Sequence, residues 1–219
     1  MSILLLHGFT GHPSDVEPLK KAFEAQGFVC DVPLLPGHGT KPKDLNSIKM
    51  ADWIDCAQSY DSDMIVGLSM GGLLAILLAA QKPKSKLILL SPAFALQPLA
   101  RLGILLARSG LTRFIETLPK PAGSDIADPA ARARSQAYQE VPLKGLIEFD
   151  RVRQQALLAL PKVTCPVFSF FGARDHTVDV DRSSKLVSNP VIFEHSAHIL
   201  PLDYDQKELI SQCLKILEK

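Results

Sequence analysis

The order of apolar segments predicts an α/β fold: a mostly parallel sheet of about six strands, with helices on both faces. Three observations carry that prediction. Short apolar runs of strand length alternate with longer runs of helical period. The short runs are apolar at successive positions, as in strands buried on both faces. A single long segment, between Pro92 and Lys162, interrupts the alternation without a convincing strand and reads as a helical insert.

The elements follow in order. Ile3–Leu6 is a continuous apolar run ending in His7-Gly8, which reads as the first strand. Ser14, with Glu17 three residues on, is placed to cap a helix whose Val16, Leu19, Ala22 and Phe23 share one face; Gly27 ends it. Phe28–Val32 is the second strand, and the loop from Pro33 to Pro42 holds Pro36-Gly37-His38-Gly39. Met50–Ser59 reads as a short helix and Met64–Gly67 as the third strand. Met70–Gln81 is a helix apolar nearly all round, hence buried. Lys86–Leu90, Pro166–Phe171 and Val191–Glu194 complete the strands, and Tyr204–Leu217 is a closing helix. Parallel neighbours joined by helices require right-handed crossovers.

Within the insert, Leu96, Leu99, Leu102, Leu105 and Leu106, then Leu111, Phe114, Ile115 and Leu118, recur at helical spacing. Seven of the nine arginines lie here: Arg101, Arg108, Arg113, Arg132, Arg134, Arg151 and Arg153. With Lys120 and Lys144 they outnumber Glu116, Asp125, Asp128, Glu140, Glu148 and Asp150. The expected organisation is a core of residues 1–92 and 163–219, with residues 93–162 forming a helical lid. Its apolar stripe is a candidate lining for an acyl pocket, or ordinary packing against the core.

Composition narrows the function classes. The 219 residues are 47% hydrophobic and 21% charged, which a folded core requires. A formal net charge of +1 offers no general attraction to nucleic acid or anionic membrane. The apolar N-terminus is only a strand long and lacks a basic flank, and no run reaches about 18 apolar residues. A soluble, cytoplasmic protein is expected. Cys30, Cys56, Cys165 and Cys213 are far apart, with no CxxC, and read as reduced thiols and not as a metal site. There is no P-loop, no G-x-G-x-x-G after a strand and no metal cluster, so no cofactor is expected.

The strongest chemical signal is Gly67-Leu68-Ser69-Met70-Gly71, a G-x-S-x-G pattern between a strand and a helix. A sharp strand-to-helix turn strains the serine backbone and holds its hydroxyl at the sheet edge, beside a helix N-terminus that favours negative charge. Such a serine needs a base, and the base needs an orienting carboxylate. Asp175 follows the fifth strand in Gly172-Ala173-Arg174-Asp175. Asp179 and Asp181 are rivals, better placed to begin the next helix. His198 follows the sixth strand in His195-Ser196-Ala197-His198; His195 is its rival, closer to the strand end. The N–H groups of Met70 and of Phe9, in His7-Gly8-Phe9-Thr10-Gly11, are the candidate oxyanion donors. His7 and His12 need no catalytic role.

Together with Pro36-Gly37-His38-Gly39 and Ser196-Ala197-His198, these motifs resemble the bacterial carboxylesterase and monoacylglycerol lipase group of the α/β-hydrolases. The resemblance runs from Ile3 to the C-terminus and is weakest in the lid. It implies the α/β-hydrolase fold, with Ser69 as nucleophile, Asp175 as orienting acid, His198 as base, and Phe9 and Met70 as oxyanion donors. His38 would brace the pocket rim. The chain starts directly at the first parallel strand, so the N-terminal antiparallel strands usual in that fold would be missing. The implied activity is hydrolysis of a small-molecule ester through an acyl-enzyme. A thioesterase or acyltransferase would use the same triad, and a ligand-binding protein on a hydrolase scaffold is the non-catalytic alternative.

Overall fold

The computed structural model describes residues 1–112, 114–120 and 123–218. Arg113, one of the insert's bases, lies outside the described residues. A six-stranded sheet runs in the order β2 (Val29–Asp31), β1 (Ser2–Leu6), β3 (Met64–Leu68), β4 (Lys86–Leu90), β7 (Val167–Gly172), β8 (Val191–Phe193). Its pairings are parallel, with Leu6 opposite Gly67, Leu68 opposite Leu90 and Gly172 opposite Phe193. The strand bounds agree with the sequence reading to within a residue or two.

Two-residue alternation assigns each strand side chain to one of two cores. Leu4, Leu6, Ile65, Leu87 and Leu89 face one side, and Ile3, Leu5, Val66, Ile88 and Leu90 the other. The first side is covered by α2 (Met50–Gln58), α3 (Met70–Gln81) and α6 (Leu143–Ala159), which supply Trp53, Leu73, Phe149 and Val152. The second is covered by α1 (Glu17–Glu24) and α8 (Gln206–Leu217), through Leu19, Phe23, Leu209 and Cys213. Helix α3 is buried along nearly its whole length, as its unbroken apolar composition requires.

Three expectations are corrected. The segment between Pro92 and Lys162 does contain strands: β5 (Thr117–Pro119) pairs antiparallel with β6 (Glu140–Pro142). Both have three residues and end in proline, too short for an alternating pattern to show. The second half of the insert's leucine-rich stripe is not helical. Helix α4 (Pro98–Arg108) ends before Gly110, at φ +76°, and Leu111 and Phe114 stand exposed while Leu118 enters β5. On α4 itself, Leu99, Leu102 and Leu105 are exposed and Ile104 is the buried residue, so those leucines do not line an interior pocket.

The third correction concerns the cap of α1. His12 caps a short 3₁₀ turn, Pro13–Asp15, by accepting from Ser14 N–H at 3.2 Å, while Asp15 Oδ2 accepts from His12 N–H at 2.9 Å. Ser14 lies inside that turn, and Glu17 opens α1. The insert otherwise comprises α4, α5 (Pro129–Arg134) and α6, the last packed on α3. Helix α7 (Val180–Ser184) follows β7. Cys30, Cys56, Cys165 and Cys213 are free thiols. Among the described residues, no helix is long and apolar enough to cross a membrane.

Candidate active site

The chain leaves β1 toward β2 on one side and, through β3, toward β4, β7 and β8 on the other. Open parallel sheets bind ligands at the carboxyl ends of strands where the order reverses in this way. The loops after β1 and β3 meet at that place. Ser69 follows β3 with φ +55° and ψ −112°, a strained backbone for a non-glycine residue, and is only 7% exposed. Its N–H donates to Leu90 O at 2.8 Å, which ties the turn to β4. The flanking glycines are sterically required. A methyl on Gly67 would run into the backbone of Gly71, and one on Gly71 into Leu6 O. Helix α3 therefore starts against the end of β1 with Met70 as its first residue, where N–H groups have no partner within the helix.

The loop after β1 lies against the serine. A methyl on Gly8 would stand 3.1 Å from Ser69 Cβ and 3.6 Å from its Oγ. This loop is braced from behind by His7. Its Nε2 accepts from Leu35 N–H at 3.1 Å, so Nδ1 carries the proton and donates to Gly8 O at 2.9 Å. Burial, with the neighbouring His38, lowers the His7 pKa to about 3, so the ring is neutral. His38 packs edge-on against His7 and stacks on Tyr138, with burial lowering its pKa to about 4. Phe9 stacks on Phe149 of α6, with ring centres 5.1 Å apart.

Asp175 and His198 lie on the loops after β7 and β8, at the same edge of the sheet. His198 Nδ1 is 2.7 Å from Asp175 Oδ2, and both side chains are buried. The other carboxylate oxygen, Oδ1, accepts from Thr177 N–H at 2.8 Å and Val178 N–H at 2.7 Å. Burial drives the His198 pKa down, but the Asp175 charge and hydrogen bond, helped by the Asp125 charge, outweigh it and leave the pKa raised. With Nδ1–H given to Asp175, Nε2 is the ring nitrogen left to accept a proton. The His198 loop sits tightly on β7, because a methyl on Gly172 would run into the carbonyls of Ser196 and Ala197.

The rivals occupy other positions. Asp179 caps α7 by accepting from Arg182 N–H at 3.1 Å, and Asp181 lies in that helix's first turn. His195 is exposed, and its N–H donates to Asp205 Oδ2 at 3.0 Å.

The structure adds three charged neighbours that sequence reasoning missed. Asp125, from the insert, accepts from His176 N–H at 2.9 Å and Thr177 Oγ1 at 2.7 Å, and burial followed by the nearby Asp175 raises its pKa. Asp15 is 1% exposed, and burial raises its pKa to about 6. Lys120, also from the insert, donates to Thr10 Oγ1 at 2.6 Å. In sequence all three look like surface charges. The only local hint was Asp15, four residues after Gly11.

Asp125, Asp175 and His198 offer ligand atoms within 4.8 Å of one another. Both oxygens of Asp175, Oδ2 of Asp125 and Nδ1 of His198 are already engaged in the hydrogen bonds just given, so the donor set fits an oriented imidazole better than a metal ion.

Comparison with known proteins identifies the family and supports the fold. A profile described as "Alpha/beta hydrolase family" matches residues 3–212. The chain is 28% identical to the thermostable monoacylglycerol lipase of Bacillus sp. (strain H-257), covering 100% of this chain and 91% of the relative. It is 22% identical to a carboxylesterase of Bacillus subtilis (strain 168), covering 100% and 92%. Among solved structures it superposes on one of the metagenome-derived lipolytic enzymes LipS and LipT with a TM-score of 0.86 and 25% identity, covering 99% of this chain and 93% of that one. The fold of a monoacylglycerol lipase from Paleococcus ferrophilus also matches, with a TM-score of 0.77, 19% identity and the same coverages. The chain therefore belongs to the alpha/beta hydrolase family and is an enzyme of its esterase and lipase type.

Proposed function

We propose that this enzyme hydrolyses carboxylic esters with uncharged acyl chains through an acyl-enzyme on Ser69. The observation that carries the reading is the buried 2.7 Å contact of His198 Nδ1 with Asp175 Oδ2, at the sheet edge that also holds the strained Ser69. His198 Nε2 takes the hydroxyl proton as Ser69 Oγ bonds to the acyl carbon. The oxyanion is held by the N–H groups of Phe9 and Met70. Collapse breaks the acyl–oxygen bond, and His198 gives its proton to the leaving alcohol. Water, deprotonated by His198, then releases the acid and restores Ser69.

The substrate in this reading is a small or medium-chain ester, and a monoacylglycerol is a natural candidate because the Bacillus relative carries that name. Residues 93–162 serve as the lid, with α6 doubling as a core helix through its packing on α3. A cytoplasmic setting fits the four free thiols.

The test is turnover of p-nitrophenyl esters from acetate to palmitate, with an acyl-CoA of matched chain length to separate ester from thioester preference. Ser69→Ala should cost at least about 10³-fold in kcat and abolish labelling by a fluorophosphonate. Near wild-type turnover by Ser69→Ala would sink the mechanism.

A further inference from the structure

The loop that presents Phe9 is closed as a turn by the Gly11 N–H to Gly8 O hydrogen bond at 3.1 Å, so Phe9 and Thr10 are its two corners. Thr10 has φ +60°. A β-branched residue in the left-handed region is an outlier that persists only where its surroundings hold it. Thr10 is 3% exposed, and two of its oxygens are held by the insert. Tyr138 N–H donates to Thr10 O at 2.8 Å, and Lys120 Nζ donates to Thr10 Oγ1 at 2.6 Å.

Both donors sit at one end of the β5–β6 ribbon, where Lys120 N–H donates to Gln139 O at 2.8 Å. The ribbon is itself anchored on the core. Tyr138 Oη donates to Gly37 O at 3.0 Å and accepts from Thr40 N–H at 2.9 Å. Lys120 is therefore held at a fixed place over the loop.

We propose that Lys120 is a positioning residue for the oxyanion loop. By clamping Thr10 in its left-handed conformation it fixes the turn that aims the Phe9 N–H, a role that rests on the acyl-transfer reading above. The carboxylates of Asp15 and Asp125 and the rings of His38 and His198 all feel the Lys120 charge. Burial lowers the Lys120 pKa to about 8, against the upward pull of Asp15 and Asp125. A charged donor makes the stronger bond, so the clamp weakens as pH rises through that value.

The experiment uses the full chain and p-nitrophenyl butyrate, with kcat and KM measured across neutral and alkaline pH for Lys120→Met, Thr10→Gly and the double variant. Lys120→Met should lower kcat by about 10–100-fold, with KM changed less than about threefold, because a misaimed donor is a transition-state loss. The clamp also predicts that wild-type kcat falls as pH rises past about 8 and that Lys120→Met lacks this fall. Glycine adopts positive φ unaided. Thr10→Gly alone should therefore lose that decline, and in the Lys120→Met background it should restore most of the kcat lost to Lys120→Met.

A Lys120→Met kcat within about twofold of wild type, a loss that appears in KM instead, or a loss that Thr10→Gly does not rescue would each overturn the proposal. If Lys120→Met does not fold, the pH profile of Thr10→Gly decides: an unchanged alkaline decline overturns it. A wild type that turns over no ester and resists fluorophosphonate defeats the acyl-transfer reading. An active wild type with an indifferent Lys120→Met defeats only the clamp.

Discussion

Replacing Asp175 by Asn tests the proton path at its most confined point. The carboxylate accepts three hydrogen bonds of 2.7–2.8 Å, two from backbone N–H groups and one from His198. An asparagine keeps one oxygen, and the two backbone donors on one side claim it. Its NH₂ then faces His198 Nδ1, and two N–H groups cannot point at each other. The imidazole must offer the Nδ1 lone pair and carry its proton on Nε2, the nitrogen that in the proposed mechanism accepts from Ser69. The expected loss is about 10³–10⁴-fold in kcat, or about 4–5.5 kcal/mol of barrier. Both backbone hydrogen bonds survive, so above the His198 pKa the melting temperature should change little.

The pH dependence of the same variant gives an independent check. His198 titrates above its ordinary 6.5 because Asp175 overcomes burial. The base must be neutral to act, so the acid limb of kcat/KM follows its pKa. Without the Asp175 charge, burial prevails and the limb moves to lower pH in the residual activity. The folded pKa lies above the unfolded one, so the protonated ring stabilises the wild type below pH 6.5, a contribution lost as pH rises through the folded value. Asp175→Asn should lack that acid-side stability. Steady-state kinetics from about pH 5 to about pH 9, on protein shown to be folded by circular dichroism, reads both effects. A kcat within about tenfold of wild type, or an acid limb that stays in place, would refute the reasoning.

Substitutions at two further positions probe how the His198 loop is held. Gly172→Ala places a methyl against the carbonyls of Ser196 and Ala197. It should cost about 1–3 kcal/mol in urea denaturation and lower kcat by displacing His198; full activity would show that the loop tolerates the shift. Asp203 is 5% exposed, and its oxygens accept from the N–H groups of Ala127 at 2.7 Å, Asp128 at 3.0 Å, Ala197 at 2.8 Å and Tyr204 at 2.9 Å. Asp203→Ala strands four donors and should destabilise by about 3–5 kcal/mol, with Asp203→Asn losing less. Equal denaturation midpoints for the two variants would contradict this account.

Much of the sheet could be read along the chain because its information is local. Met70–Gln81 has the bounds its composition predicts, and so does Lys86–Leu90. A strand buried on both faces and a helix buried all round need no knowledge of their partners to be recognised. The insert was harder. Thr117–Pro119 and Glu140–Pro142 become strands only by pairing with each other across the intervening chain. The Leu111–Leu118 spacing mimicked a helix that Gly110 and the turn after it do not allow.

The site divides in the same way. The strand–turn–helix around Ser69, and the order of Ser69, Asp175 and His198, are written in residue type and spacing, because a sharp turn needs its glycines wherever it occurs. Whether a charge is buried depends on what the rest of the chain lays over it. Asp15 becomes a buried acid, Asp125 a neighbour of the Asp175–His198 pair, and Lys120 a donor to a threonine 110 residues earlier. Residue types point to the proposed chemistry; only the folding of the segment between β4 and β7 onto the β1 loop determined which charges would surround it, since desolvation and long-range hydrogen bonds exist only once distant segments meet.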